Sequence, residues 1–175
     1  MRAWGLSVAA LLLAVTVHGR TAWGETKDGL QLGVEYVRGA DGGVIRVLVR
    51  NVSSNPMDPV AGFQMLGGEM GFAHFSAARS DGTGKIDLID YGHRVLGAPS
   101  TLVPARLHVG AGETRTFEFP LKYLRYTAGG KPGGELVPFG PLWRQGFRVR
   151  VIGVFDCSRL RLEAPWISRG GAAGR

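Results

Sequence analysis

Leu30-Gln31-Leu32-Gly33-Val34-Glu35-Tyr36-Val37, the turn Arg38-Gly39-Ala40-Asp41-Gly42-Gly43, and Val44-Ile45-Arg46-Val47-Leu48-Val49-Arg50 together decide the fold. Leu30, Leu32, Val34 and Tyr36 alternate with Gln31, Gly33, Glu35 and Val37, the period of a half-buried strand. The glycines of the turn reach positive φ without a steric penalty, and Asp41 can bond backbone just ahead of it. The return strand puts Ile45, Val47 and Val49 on one side and Arg46, Leu48 and Arg50 on the other. Asn51-Val52-Ser53-Ser54-Asn55-Pro56 ends it, because Asn and Ser divert backbone bonds locally and Pro56 cannot donate to a ladder. A lone hairpin is at best marginal in water, so the rest of the chain must cover it.

Working outward, the same signals recur. Short strands are expected at Val60–Phe63, Gly71–Phe75, Ile86–Tyr91, Thr101–Val109, Thr114–Leu121, Phe147–Ile152 and Arg159–Glu163. Glycine- or serine-rich turns separate them. Phe63, Phe72 and Phe75 are expected core residues. Pro104 points to an edge position, Lys122–Tyr126 to a brief helical turn, and Thr127–Glu135 to a mobile loop. No helical pattern reaches three turns. Seven to nine short strands define an all-β chain, an antiparallel sandwich with a barrel as competitor.

The 175 residues suit one domain with a proper core, and a hydrophobic share of 45% argues against general disorder. The 28 glycines have no collagen-like period and read as turn residues. Arg2, the apolar run Trp4–Val17 and the small residues around Thr21–Gly24 have the layout of a secretory signal peptide. The run is shorter than the roughly 20 residues of a spanning helix. The expected organisation is therefore a signal peptide at 1–24, a β-sandwich domain at 25–167 and a disordered tail at 168–175, in a periplasmic or extracellular protein. The formal charge is +7, and cleavage near Gly24 would remove only Arg2 and Arg20 from the basic count. Cys157 is the one cysteine, which excludes an intrachain disulfide. Its apolar neighbours Val154, Phe155 and Leu160 predict a buried thiol.

Two segments carry a resemblance. The hairpin closing in Val49-Arg50-Asn51-Val52-Ser53-Ser54-Asn55-Pro56, and the Gly112-Glu113-Thr114 turn before Phe117-Glu118-Phe119-Pro120-Leu121, resemble immunoglobulin-like β-sandwich modules of bacterial exported proteins. One branch of these is similar to the BsuPI-type proteinase-inhibitor domain. The likeness covers about half of the chain beyond the leader and implies an architecture; activity must be argued from a site.

Asp81-Gly82-Thr83-Gly84-Lys85-Ile86-Asp87-Leu88-Ile89-Asp90 overlays part of an EF-hand-type loop. Asp81, Thr83, Asp87 and Asp90 fall at its third, fifth, ninth and twelfth places, which makes calcium the candidate cofactor. Arg79 stands at the first ligand place, and a plain hairpin turn explains the same residues. Met57, Met65, Met70, His74, His93 and His108 supply the soft donors and imidazoles of a copper carrier. Met70 and His74, however, would lie about 13 Å apart along a strand. Met as a core filler is the simpler reading. Cys157 with a histidine, or Asp90 with His93, could be paired on paper, but no catalytic signature surrounds either. Asn51-Val52-Ser53 is formally a glycosylation acceptor that a strand-ending turn also explains.

Arg148, Arg150, Arg159 and Arg161 put cations along the two C-terminal strands. They form either a solvated sheet face or a docking stripe for an anionic partner. The functional expectation is a non-catalytic exported binding module that meets another envelope or secreted protein through a sheet edge or end loops. Nucleic acid is not expected as a partner, nor is a transmembrane segment after leader removal. The alternatives are a proteinase inhibitor acting through Thr127–Glu135 and a calcium or copper protein.

Overall fold

The alternating stretch folds as the hairpin its pattern dictates. Two strands, β2 (Leu30–Val37) and β3 (Val44–Asn51), pair antiparallel without a break from Leu30↔Asn51 to Val37↔Val44. Leu30, Leu32, Val34, Ile45, Val47 and Val49 are fully buried. The Tyr36 hydroxyl donates to Gly42 O at 2.9 Å across the turn. Gly43 has φ +97°, and a Cβ there would stand 2.5 Å from the Tyr36 ring, so only glycine closes this turn.

The computed structural model describes residues 21–39, 41–64, 71–91, 103–130 and 133–172. The remaining strands are β1 (Ala22–Lys27), β4 (Val60–Gln64), β5 (Ala73–Ala78), β6 (Ile86–Asp90), β7 (Val103–Arg106), β8 (Thr114–Pro120) and β9 (Leu124–Thr127). They continue with β10 (Leu136–Pro138), β11 (Arg148–Phe155), β12 (Leu160–Glu163), β13 (Ile167–Ser168) and β14 (Gly171–Ala172). The helix α1 (Gly140–Arg144) is one turn long. One sheet has the order β1-β2-β3-β8, and a larger one runs β10-β9-β6-β5-β11-β13-β14 with β12 also on β11. A two-stranded pair β4-β7 completes the set. Among the described residues every strand pairing is antiparallel and the helices are one turn or less, which makes the fold all-β.

Both large sheets contribute to one buried cluster. Phe75 of β5 meets Phe119 of β8 edge-on at 4.8 Å, and Phe72 meets Phe117 of β8 at the same separation. Tyr36 of β2 meets Trp143 of α1 at 5.2 Å. Such offset contacts add to the burial of the rings themselves.

Several expectations change. Lys122–Tyr126 is mostly extended: a 3₁₀ turn covers Leu121–Tyr123, and β9 begins at Leu124 because Leu124 and Tyr126 pack on the core. Cys157 is exposed rather than buried. It sits in the β11–β12 reversal, where Asp156, Cys157 and Ser158 all have positive φ, so position in a turn overrides the residue's preference for the core. Ser168 and residues 171–172 belong to strands, within the stretch expected as a disordered tail, because Ile167 is drawn under β11 and its hairpin partner follows. The first sheet begins at Ala22, ahead of the cleavage point expected near Gly24. The signal-peptide run itself lies outside the described residues, as do residues 173–175 and the side chain of Phe63. Phe72 and Phe75 are buried as expected, and Pro104 lies in the short β4-β7 pair.

Candidate binding surfaces

Alternation along β11 turns Val149 and Val151 into the core and Arg148 and Arg150 outward. The segment between β12 and β13 lays Trp166 beside them. The Arg148 and Arg150 guanidiniums lie 5.4 and 5.1 Å from the Trp166 ring centre, a cation–π ladder with one indole and two cations. On β12, Glu163 accepts from Arg150 at 3.1 Å and from Arg161 at 3.3 Å. The Nε atoms of Arg148 and Arg150 are buried without a hydrogen-bond partner among the described residues. Three of the four predicted arginines thus share this face. Arg159 does not: it precedes β12 and lines a cleft at one end of the molecule. Trp166 carries no charge and follows the arginines in sequence, so a search for cationic stripes misses it.

The two ends of β2 open onto different clefts. At the β1–β2 end, about 750 Å³ is lined by Asp28, Met57, Asp58, Asp156, Cys157 and Arg159, among others. Two of its three carboxylates have structural partners. Asp156 Oδ1 accepts the Val60 N–H at 2.8 Å, and Asp58 Oδ1 lies 2.7 Å from His108 Nδ1. Among the described residues, no histidine lines it beside Cys157. At the β2–β3 end, a cleft of about 540 Å³ is lined by Arg38, Lys122, Arg125, Arg144 and Arg169, with Asp41 the only carboxylate among the described residues. Asp41 accepts from Lys122 Nζ at 2.9 Å. That contact holds the Asp41 carboxyl below its ordinary value and the Lys122 ammonium above its own.

The predicted calcium set is split. Asp81 Oδ1 accepts from the Thr83 N–H at 2.8 Å and the Thr83 hydroxyl at 2.7 Å, closing the β5–β6 turn. These bonds lower the Asp81 pKa, the hydroxyl contributing most. Asp87 and Asp90 are three residues apart on β6, about 10 Å by strand rise and on opposite faces. Among the described residues, no three His, Cys, Asp or Glu side chains gather around a point that could hold a metal. Met65, Met70 and His93 of the copper set lie outside the described residues; His74 is exposed on β5 and His108 is engaged with Asp58. The catalytic pairing of Asp90 with His93 likewise lies partly outside them.

Asn51 is fully buried. Its amide donates to Asn55 O at 2.7 Å and Val109 O at 3.0 Å, while Oδ1 accepts from the Ser53 N–H and hydroxyl. In this arrangement its nitrogen cannot take a glycan, so the sequon is structural. No helix among the described residues is long and apolar enough to cross a membrane. No protein-family model matches the chain, and neither the curated proteins nor the solved structures compared with it give a match.

Proposed function

We propose that this chain is a non-catalytic, exported binding module with an immunoglobulin-like sandwich build, whose partner is an acidic segment of another envelope or secreted protein. The observation that carries this reading is the Arg148–Trp166–Arg150 ladder on the solvent side of β11. Tryptophan and arginine are the residue types that dominate protein interfaces, since both couple large contact area to a polar or charged tip. Two guanidiniums stacked on one indole are held in place before binding, which lowers the ordering cost of association. Glu163 neutralises only part of the patch, since it is shared by Arg150 and Arg161. An acidic partner fits the remaining charge.

The test places a photo-crosslinking residue at Ile152, beside Arg150 on β11, and identifies what it captures in the native envelope or medium. Arg148→Glu with Arg150→Glu reduces capture of that protein by about tenfold or more, and Arg159→Glu at the far end leaves it unchanged. Capture that is indifferent to the charge reversal would sink the assignment. Nothing in the geometry favours inhibition through Thr127–Glu135: the segment is the β9–β10 connection, closed by Ala128 N–H to Glu135 O at 2.9 Å, and residues 131–132 lie outside the described residues.

A further inference from the structure

We infer that the cleft at the β2–β3 end is a binding site for a phosphate-bearing ligand, independent of the β11 face. Its cations arrive from four separate places in the chain. Arg38 comes from the β2–β3 turn, Lys122 and Arg125 from the β8–β9 connection and the start of β9, Arg144 from α1, and Arg169 from the β13–β14 turn. The whole chain has 21 Lys and Arg against 14 Asp and Glu, whereas this cleft has five against one. Like charges repel, so concentrating them in one concavity opposes folding unless a ligand offsets it.

The shape selects the class of anion. A stripe of cations along a strand or helix suits a polymer, but cations converging from four separate places on about 540 Å³ suit a compact, multiply charged group. Four of the five are arginines, whose forked donors match the oxygens of phosphate. The Arg125 guanidinium is already anchored, with Nη1 donating to the carbonyls of Lys122 and Leu124. The wall also includes Trp143, only 2% exposed, which packs edge-on against Tyr36 and gives the cleft a rigid apolar side. Among the described lining residues, Asp41, paired with Lys122, is the one carboxylate that opposes an anion.

Calorimetric titration of the purified chain with inorganic phosphate and pyrophosphate tests this. A parallel sedimentation assay uses phosphatidylcholine vesicles with and without phosphatidylglycerol. We expect saturable binding in at least one series, and the series that binds tells a soluble phosphate from a lipid headgroup. Arg144→Ala with Arg169→Ala weakens it about tenfold, while Arg159→Ala at the opposite end leaves it unchanged. Asp41→Asn, which releases Lys122, tightens it about threefold. These side chains are exposed, so the melting temperature of each variant stays close to that of the parent. No binding in either series overturns the inference. So does equal weakening by Arg159→Ala, or an affinity in Asp41→Asn that is unchanged or reduced.

Discussion

Asn51 shows how much one residue can hold. Its side chain makes four hydrogen bonds within the fold and joins the end of β3, the turn that follows and the Val109 backbone. Asn51→Ala removes all four bonds at a fully buried position, although Asn55 O keeps the Ser53 hydroxyl and Val109 O keeps the Met57 N–H, so we expect a loss of about 3 kcal/mol in denaturant unfolding. Gly33 is the complementary case, where the absence of a side chain matters. Trp23 lies across it, so that a Cβ would stand 2.7 Å from the ring, and Arg50 covers the same indole at 4.2 Å. Gly33→Val displaces Trp23 and breaks that stack; a loss of about 1–3 kcal/mol and a changed tryptophan emission spectrum check it. Alternation reads Gly33 as one more outward strand position. Only the packing shows why it has to be glycine.

Among the elements, β1 is tied to strands on both of its sides. Ala22 pairs with Val34 and is buried, and Gly24 packs so closely on β12 that a Cβ would overlap Glu163 O. Thr21 donates to Glu35 at 2.6 Å, and Arg46 links Glu35 to Glu118 across β2, β3 and β8. A cut near Gly24 would remove half of β1. If a leader is removed, we therefore expect the processed chain, by intact mass, to begin at or before Thr21; a chain beginning at Glu25 contradicts this. The opening hairpin, β5, β6, β8, β11 and β12 were legible because each alternates. β1, β9, β10, β13 and β14 were not. Most are short, and tertiary contacts make them strands: Ala22-Trp23-Gly24-Glu25-Thr26-Lys27 has no period-two pattern of its own.

For the whole molecule, charge sets the pH response. Asp41 and Asp81 have carboxyl pKa values lowered from 3.8, each by hydrogen bonds made only in the fold. Their contribution to stability is complete above the unfolded value and disappears as pH falls through the folded one. Lys122 is raised from 10.5, so its contribution is complete below that value and disappears as pH rises through the folded one. All three groups are exposed, so the effects are small. Thermal unfolding should be level through neutral pH and weaken below about pH 4 and above about pH 10.5, with Asp41→Asn reducing both declines.

The candidate surfaces divide between what chain order reveals and what it hides. Alternation alone put Arg148 and Arg150 outward together, because side chains two apart on a strand must share a face. Alternation could not supply Trp166, which is 16 residues beyond Arg150 in the chain and reaches it only by the path from β12 to β13. The cationic cleft is still less local, since residues 38, 122, 125, 144 and 169 meet only when both sheets are assembled. Contacts between near neighbours in the chain are enough to specify the all-β class and the core hairpin, so alternation makes both legible. Which charges converge is settled on assembly, because it depends on how distant turns are brought to the same end of the fold.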